Sequence, residues 1–285
     1  MKIPALKEPN IYRFYDYREF LKSWFNYKKT NEKGFSLRSF SKQVGLATGY
    51  LPMVLSGARH LSHKSLLKLM PFMHLSKQEQ HFFETIVILG SSDSQEVRLQ
   101  AFEQIKHFVQ YKKQNPKELE VQQYLTHWFY VAIREMAALP LFQAEPEWIQ
   151  NHLNVHVPLL EIKKALDFLI KNNFIKQNED GTTYVLTKKN LDCLGGVYRL
   201  ALTQFHKEMF QLASESIENT PSEKRHLMGH SFAITEENFF KVREILNNAL
   251  EQIKNLETSN EILADIYHIE LALFPLTKGE KHETH

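Results

Sequence analysis

Cysteine is nearly absent: the 285-residue chain holds one, Cys193. A lone thiol excludes an intrachain disulfide framework and any multi-cysteine zinc site, and it suits a reducing compartment. Glycine and proline are also scarce, at ten each, which leaves little room for a loop-rich, fibrous or low-complexity chain. No apolar run is long enough to cross a bilayer, and the opening MKIPALKEPN lacks the apolar core of an export signal. A cytoplasmic protein with no membrane partner is therefore expected. Apolar residues are plentiful at 43% and aromatics at 12%, enough to bury a large core, and the length suits two domains.

Net charge is small as well, +2, but it is unevenly placed. Up to Gly90 there are 14 Lys and Arg against 6 Asp and Glu, a net of +8, so the remainder carries −6. A cationic front joined to an anionic body points to a polyanion such as nucleic acid as the partner of the first part. A solvated basic face without a partner is the plainer alternative.

Hydrophobic spacing and capping residues divide the first 90 residues into five helices. Asp16 caps DYREFLKSWFNYKK, in which Phe20, Leu21, Trp24 and Phe25 share a face. Ser36 caps LRSFSKQV, a third short helix runs from about Thr48 to Gly57, Ser62 caps HKSLLKLMPFM, and Ser76 with Glu79 forms a capping box before HFFETIVIL. GSSDSQEV reads as a loop before a connecting helix to about Gln114, where Asn115–Pro116 interrupts it. The expected division is 1–90, a connector over 91–116, and a second domain over 117–285. In that domain WIQNHL, PLLEIKKALDFLIKNNFI and a hairpin turning at Glu179-Asp180-Gly181 follow a winged-helix order. A long helix from Gly196 to about Glu218 comes next, followed by a strand in RHLMGHSFAIT, a helix capped by Thr235, and a strand in DIYHIELALFPLT. The fold class expected is mainly α, of α+β type.

The segment LRSFSKQVGLATGYLPMVLS carries the most information. A helix-turn-helix needs a small residue where its helices touch, a glycine at the turn and apolar residues facing the core. Ser41, Gly45, and Phe40, Val44, Leu51 and Val54 fill these places. The outward start of the second helix offers Thr48, Gly49, Tyr50, Pro52 and Met53. None of these makes the bidentate contacts by which Arg or Lys reads guanine and Asn or Gln reads adenine. Phosphate contacts are better supplied, by Arg38 and Lys42 and by Arg59, His60, His63 and Lys64, with the helix start at Ser62 adding backbone N–H groups. The DNA-binding set expected is thus Arg38, Lys42, Thr48, Gly49, Tyr50, Met53, Arg59, His60, His63 and Lys64.

Other chemistry is less well represented. The winged segment turns Glu161, Lys164, Asp167 and Lys171 outward, and its acidic wing disfavours DNA, so self-association or protein contact is expected there. Of 14 histidines, the pairs His152/His156 and His226/His230 have helical spacing but no third ligand, and no metal or cofactor is expected. Cys193 in LDCLGG reads as a small buried residue, and no G-x-S-x-G elbow, P-loop or dinucleotide fingerprint occurs. An enzyme is not expected. The apolar stretches RHLMGHSFAIT and IYHIELALFPLT are most simply packed core, the alternative being an edge or groove for a ligand or second copy.

FYDYREFLKSWF, FSLRSFSKQVGLATGYLPMVLSGARHLSHKSL and LSKQEQHFFE in the first part, and WIQNHL, EIKKALDFLIKNNFI, ALTQFHKEMFQLASESI and LALFPLT in the second, carry a resemblance across nearly the whole chain. It resembles a bacterial family of unknown function with an N-terminal lambda-repressor-like, Xre-type helix-turn-helix and a long C-terminal domain. Such proteins are described as transcriptional regulators, so the resemblance implies double-stranded DNA as partner through Thr48 to Lys64. An acidic body on a basic head has the layout of a dimerisation or sensing unit, so a homodimer, or a protein or small-molecule effector at the C-terminal domain, is expected. A protein-interaction scaffold, docking through the apolar Tyr50, Pro52, Met53 face, is the alternative.

Overall fold

The computed structural model describes residues 6–179, 181, 183–187, 196–256 and 263–278. The described residues form thirteen α-helices and one two-stranded sheet. In chain order α1 is Tyr17–Asn31, α2 Leu37–Gln43, α3 Tyr50–Ser56, α4 His63–Leu69 and α5 Lys77–Ser91. Then come α6 Gln95–Ile105, α7 Val109–Gln114, α8 Pro116–Tyr124, α9 Trp128–Met136, α10 Pro146–His152 and α11 Leu159–Lys171. The hairpin strands β1 Ile175–Gln177 and β2 Tyr184–Leu186 precede α12 Gly196–Asn219 and α13 Glu236–Lys254. Two compact units result, Met1–Gln123 with Leu191–Ala201, and Tyr124–Asn190 with Leu202–His285.

The first unit begins where Asp16 accepts the Arg18 N–H at 2.8 Å and so satisfies a donor that the start of α1 cannot pair internally. From α1, Tyr17, Phe20, Leu21, Trp24 and Phe25 are buried, and Trp24, Phe25, Phe35 and Phe40 meet at ring separations of 5.3–6.3 Å. Ser36 and Ser76 each close a capping box, at α2 and α5. The helix α5 continues through Gly90 and Ser91, past the point at which the sequence reads as a loop. Gly90 is required there because Tyr17 presses on it: a Cβ at Gly90 would lie 2.8 Å from a Tyr17 ring carbon.

The expected connector over 91–116 does not stand apart. It forms two helices, α6 and α7, broken at Lys106–Phe108, where His107 and Phe108 donate to the carbonyls three residues back. That tight turn lets Ile105, Phe108 and Tyr111 all face inward, and they join the core that holds Tyr12 and Phe82.

In the second unit Ile162, Ala165, Leu166 and Leu169 of α11 point inward as their spacing predicts, with Phe168. Phe174 stacks on Tyr124 at 4.5 Å. In the hairpin Ile175 faces Leu186 and Gln177 faces Tyr184. Its turn brings the Gly181 N–H to the Asn178 carbonyl at 3.0 Å with Gly181 at φ +70°, and Asp180, expected at this turn, lies outside the described residues.

The two strands expected in RHLMGHSFAIT and DIYHIELALFPLT are absent from the sheet, which contains β1 and β2 alone among the described residues. Residues 225–235 and 263–275 run without helix, turn, bend or ladder. A strand exists only through a neighbour, and neither stretch has one among the described residues. They are not packed core either: Met228 is 85% and Tyr267 68% exposed.

Candidate nucleic-acid interface

The α2–α3 pair is fixed by a few contacts that use up particular groups. Ser41 is fully buried and donates its hydroxyl to the Leu37 carbonyl at 2.7 Å, while the Leu46 N–H reaches the Ser41 carbonyl at 2.8 Å. Between them Gly45 turns the chain at φ +65°, a conformation costly for any residue with a Cβ. Its carbonyl accepts from Lys68 Nζ at 2.7 Å, which ties α4 to the turn. Phe40, Val44, Leu51 and Val54 are buried below. Pro52 stands in the first turn of α3, where its missing N–H leaves no helical bond unmade.

The sequence-predicted residues fall into two groups. Arg38 and Lys42, one helical turn apart, are exposed on one face of α2. Thr48 and Gly49 are exposed in the turn before α3, and Met53 is 40% exposed on it. Arg59, His60, His63 and Lys64 are exposed in the following loop and the first turn of α4. Among the described residues, Arg38, Lys42, Arg59 and Lys64 form no ion pair.

Tyr50 and His60 have structural work to do. The Tyr50 hydroxyl accepts the Ser62 N–H at 2.9 Å and donates to the His60 carbonyl at 3.1 Å, and the Arg59 guanidinium lies 5.8 Å over its ring. Burial alone raises the Tyr50 phenol, but bonds from Ser65 and Ser62 and the Arg59 charge bring it below its ordinary value. Tyr50 is thus the clamp of the 57–62 loop rather than an open donor for a base. The Ser62 hydroxyl is likewise engaged, accepting the Ser65 N–H at 3.2 Å. Arg18 of α1 donates to His60 Nδ1 at 3.0 Å, to the Val54 carbonyl at 3.2 Å and to the Gly90 carbonyl at 3.4 Å. With Nδ1 accepting, the neutral His60 ring carries its proton on Nε2.

Arg18, Lys68 and Tyr17, whose hydroxyl accepts the buried Leu61 N–H at 3.2 Å, are functional supports that sequence reasoning missed. One sequence signal would have sharpened the search. From Lys33 to Gln78 the chain contains no Asp or Glu and seven Lys or Arg. The whole α2–α3–α4 surface is therefore free of fixed negative charge.

Elsewhere the chemistry is thin. His152 Nδ1 donates to the Trp148 carbonyl at 2.6 Å, and no group of three His, Cys, Asp or Glu that could hold a metal occurs among the described residues. Cys193 lies outside the described residues. In the second unit a cleft of about 350 Å³ is bordered by His127, Trp128, Gln204 and Glu208. The half-buried Glu208 is already satisfied: it accepts the Trp128 N–H at 2.8 Å and lies 3.3 Å from His127 Nδ1. No described helix is long and apolar enough to cross a membrane.

This is the geometry of a mainly helical protein whose first unit presents, among the described residues, cations without ion-pair partners around α2, α3 and α4, and whose second unit offers no reactive constellation among the described residues. Residues 109–276, more than half of the chain, match the family model described as a domain of unknown function, DUF4423, and the chain belongs to that family. No curated protein matches the chain, and no solved structure does.

Proposed function

We propose that this protein is a DNA-binding transcriptional regulator of the cytoplasm, with α2 and α3 acting as a lambda-repressor-like helix-turn-helix, α3 entering the major groove, and two copies joined through the C-terminal domain. In this reading α10, α11 and the hairpin form a winged-helix-like segment that serves assembly or effector sensing, because its exposed Asp167 and Glu179 would repel phosphate. The observation that carries the reading is the exposure of Arg38, Lys42, Arg59 and Lys64, without ion-pair partners among the described residues, in a stretch of sequence with no carboxylate. Such cations gain by displacing the counterions of a duplex. Tyr50, Tyr17 and Arg18 support it by fixing the loop that carries Arg59 and leads into the helix that carries Lys64.

Fluorescence anisotropy with a random duplex pool tests it. Binding is expected at low salt, weakening linearly in log–log form by roughly 0.9 for each phosphate neutralised. The R59A/K64A double variant, both positions being exposed, should stay folded and lower that slope by about 1–2. Absence of binding at low salt, or binding indifferent to salt, refutes it. A second reading, a docking scaffold, is favoured by the exposed apolar Pro52 and Met53; it expects R59A/K64A to retain its partner.

A further inference from the structure

We infer that residues 225–256 and 263–276 form an arm that pairs with the same arm of a second copy of this chain, building an intermolecular antiparallel sheet from 225–235 and 263–275 with α13 packed across it. This deepens the proposed two-copy regulator by naming the interface, yet it stands on other residues than the DNA reading does.

The arm is unlike the rest of the molecule in what it leaves uncovered. Fourteen large apolar side chains from Leu227 to Leu276 are exposed among the described residues. α13 is a 19-residue amphipathic helix, soundly capped by Thr235, that has no buried residue. Phe239, Val242, Leu246, Ala249 and Leu250 mark an apolar stripe at helical spacing that is only half covered. Taking roughly 150–250 Å² for each large side chain, the exposed apolar surface of the arm is on the order of 1,500 Å² per chain. Ordinary monomers rarely expose a patch beyond about 600 Å², whereas obligate homodimers bury roughly 1,000–2,500 Å² per partner.

The backbone narrows the occupant. Neither 226–234 nor 263–275 has a backbone–backbone hydrogen bond of its own among the described residues. Two straight stretches of unpaired N–H and C=O groups are a template for strand addition. A lipid surface cannot satisfy them. Nucleic acid needs cations, and 226–235 contains no Lys, Arg, Asp or Glu. The second stretch is already held on one side. His206 Nδ1 of α12 lies 2.8 Å from Glu270, His268 Nε2 lies 3.0 Å from it, and the His268 ring meets Phe205. Ile266 and Glu270 are half-buried, while Tyr267, Ile269 and Leu271 are exposed, the pattern of a strand with one face anchored and the other awaiting a cover over 266–271. A second copy supplies what is missing, namely two strands of similar length, an apolar helix face and a two-fold relation that satisfies both arms at once.

The test uses the full chain without DNA. Light scattering after gel filtration should give twice the chain mass at micromolar concentration. Hydrogen exchange should be slow at amides in 227–234 and 266–274. Y267D/L271D, which puts charge on the outward face and leaves the Glu270 anchor in place, should give the single-chain mass with helical circular dichroism retained. If Y267D/L271D misfolds, Met228→Asp at the most exposed position repeats the mass measurement. Single-chain mass for the unaltered protein, or protected segments in a monomer, overturns the inference, as does fast exchange in a dimer or a dimer unchanged in the variants. Salt-dependent duplex binding by a monomer would leave the DNA reading standing while this one falls.

Discussion

Gly90→Ala tests whether the loop at 57–62 is held from beneath. The added Cβ would stand 2.8 and 2.9 Å from two carbons of the Tyr17 ring, and Tyr17 is fully buried and cannot swing away. Overpacking of this kind costs about 1–3 kcal/mol, against which alanine regains about 1 kcal/mol of helix propensity inside α5. A net loss of up to about 2 kcal/mol is expected, a fall in Tm of up to roughly 8 °C. The loss should be local as well as global. Tyr17 takes the Leu61 N–H and Arg18 holds both the Gly90 carbonyl and His60, so displacing Tyr17 loosens the loop that carries Arg59 and His60. Hydrogen exchange at Leu61 should quicken, and duplex affinity should weaken although no exposed cation has changed. Urea denaturation read by circular dichroism, with exchange at 57–63, measures both. A Gly90→Ala protein as stable as the unaltered one, with Leu61 equally protected, refutes the close approach.

Two pH dependences follow from buried carboxyls of opposite sign. Burial would raise Glu208, but His127, the Trp128 N–H and Gln204 together hold it below the usual range, so its contribution is full above the ordinary carboxylate value and is lost as pH falls through the depressed one. Glu208→Gln should therefore be less stable by about 1 kcal/mol near neutrality, and the difference in denaturation midpoint should vanish on acidification. Glu118 is the reverse: burial raises it more than the Tyr111 hydroxyl, 2.9 Å away, lowers it. Its stabilisation is present below about pH 4 and is lost as pH rises through the raised value, so Glu118→Gln should flatten the stability profile there in the same denaturation series.

Features set by neighbours in sequence were legible. Asp16, Ser36, Ser62, Ser76 with Glu79, and Thr235 all cap the helices their spacing predicts, because a cap is satisfied within three residues. What depended on distant partners was not. Gly90 beside two serines reads as a break, yet it continues α5 because Tyr17, 73 residues earlier, needs the room. The exposed look of Tyr50 on a helical wheel gave no hint that its hydroxyl would close a loop 10–12 residues on. Arg18 lies on a helix outside the α2–α3 segment and so escaped a search made along one motif. The two C-terminal stretches are apolar, as their composition shows, but the strands and core packing expected of them do not form among the described residues, because an apolar stretch says only that it seeks cover, not that the same chain supplies it.

At the start of α3 the exposed groups are Thr48, Gly49, Pro52 and Met53, none with the paired donors and acceptors that make one base distinguishable from another by about 1–3 kcal/mol. A single module of this kind would grip phosphates and read little. Linking two of them makes the second contact intramolecular, so that modest affinities multiply, and half-site spacing becomes information that neither reading helix holds alone. An arm with the exposed apolar surface found here is what such a link requires, because selectivity drawn from pairing survives only if the pair outlasts its encounter with DNA. In the proposed function, the scarcity of base-reading side chains in the front unit and the uncovered arm of the other are thus physically coherent, each supplying what the other lacks.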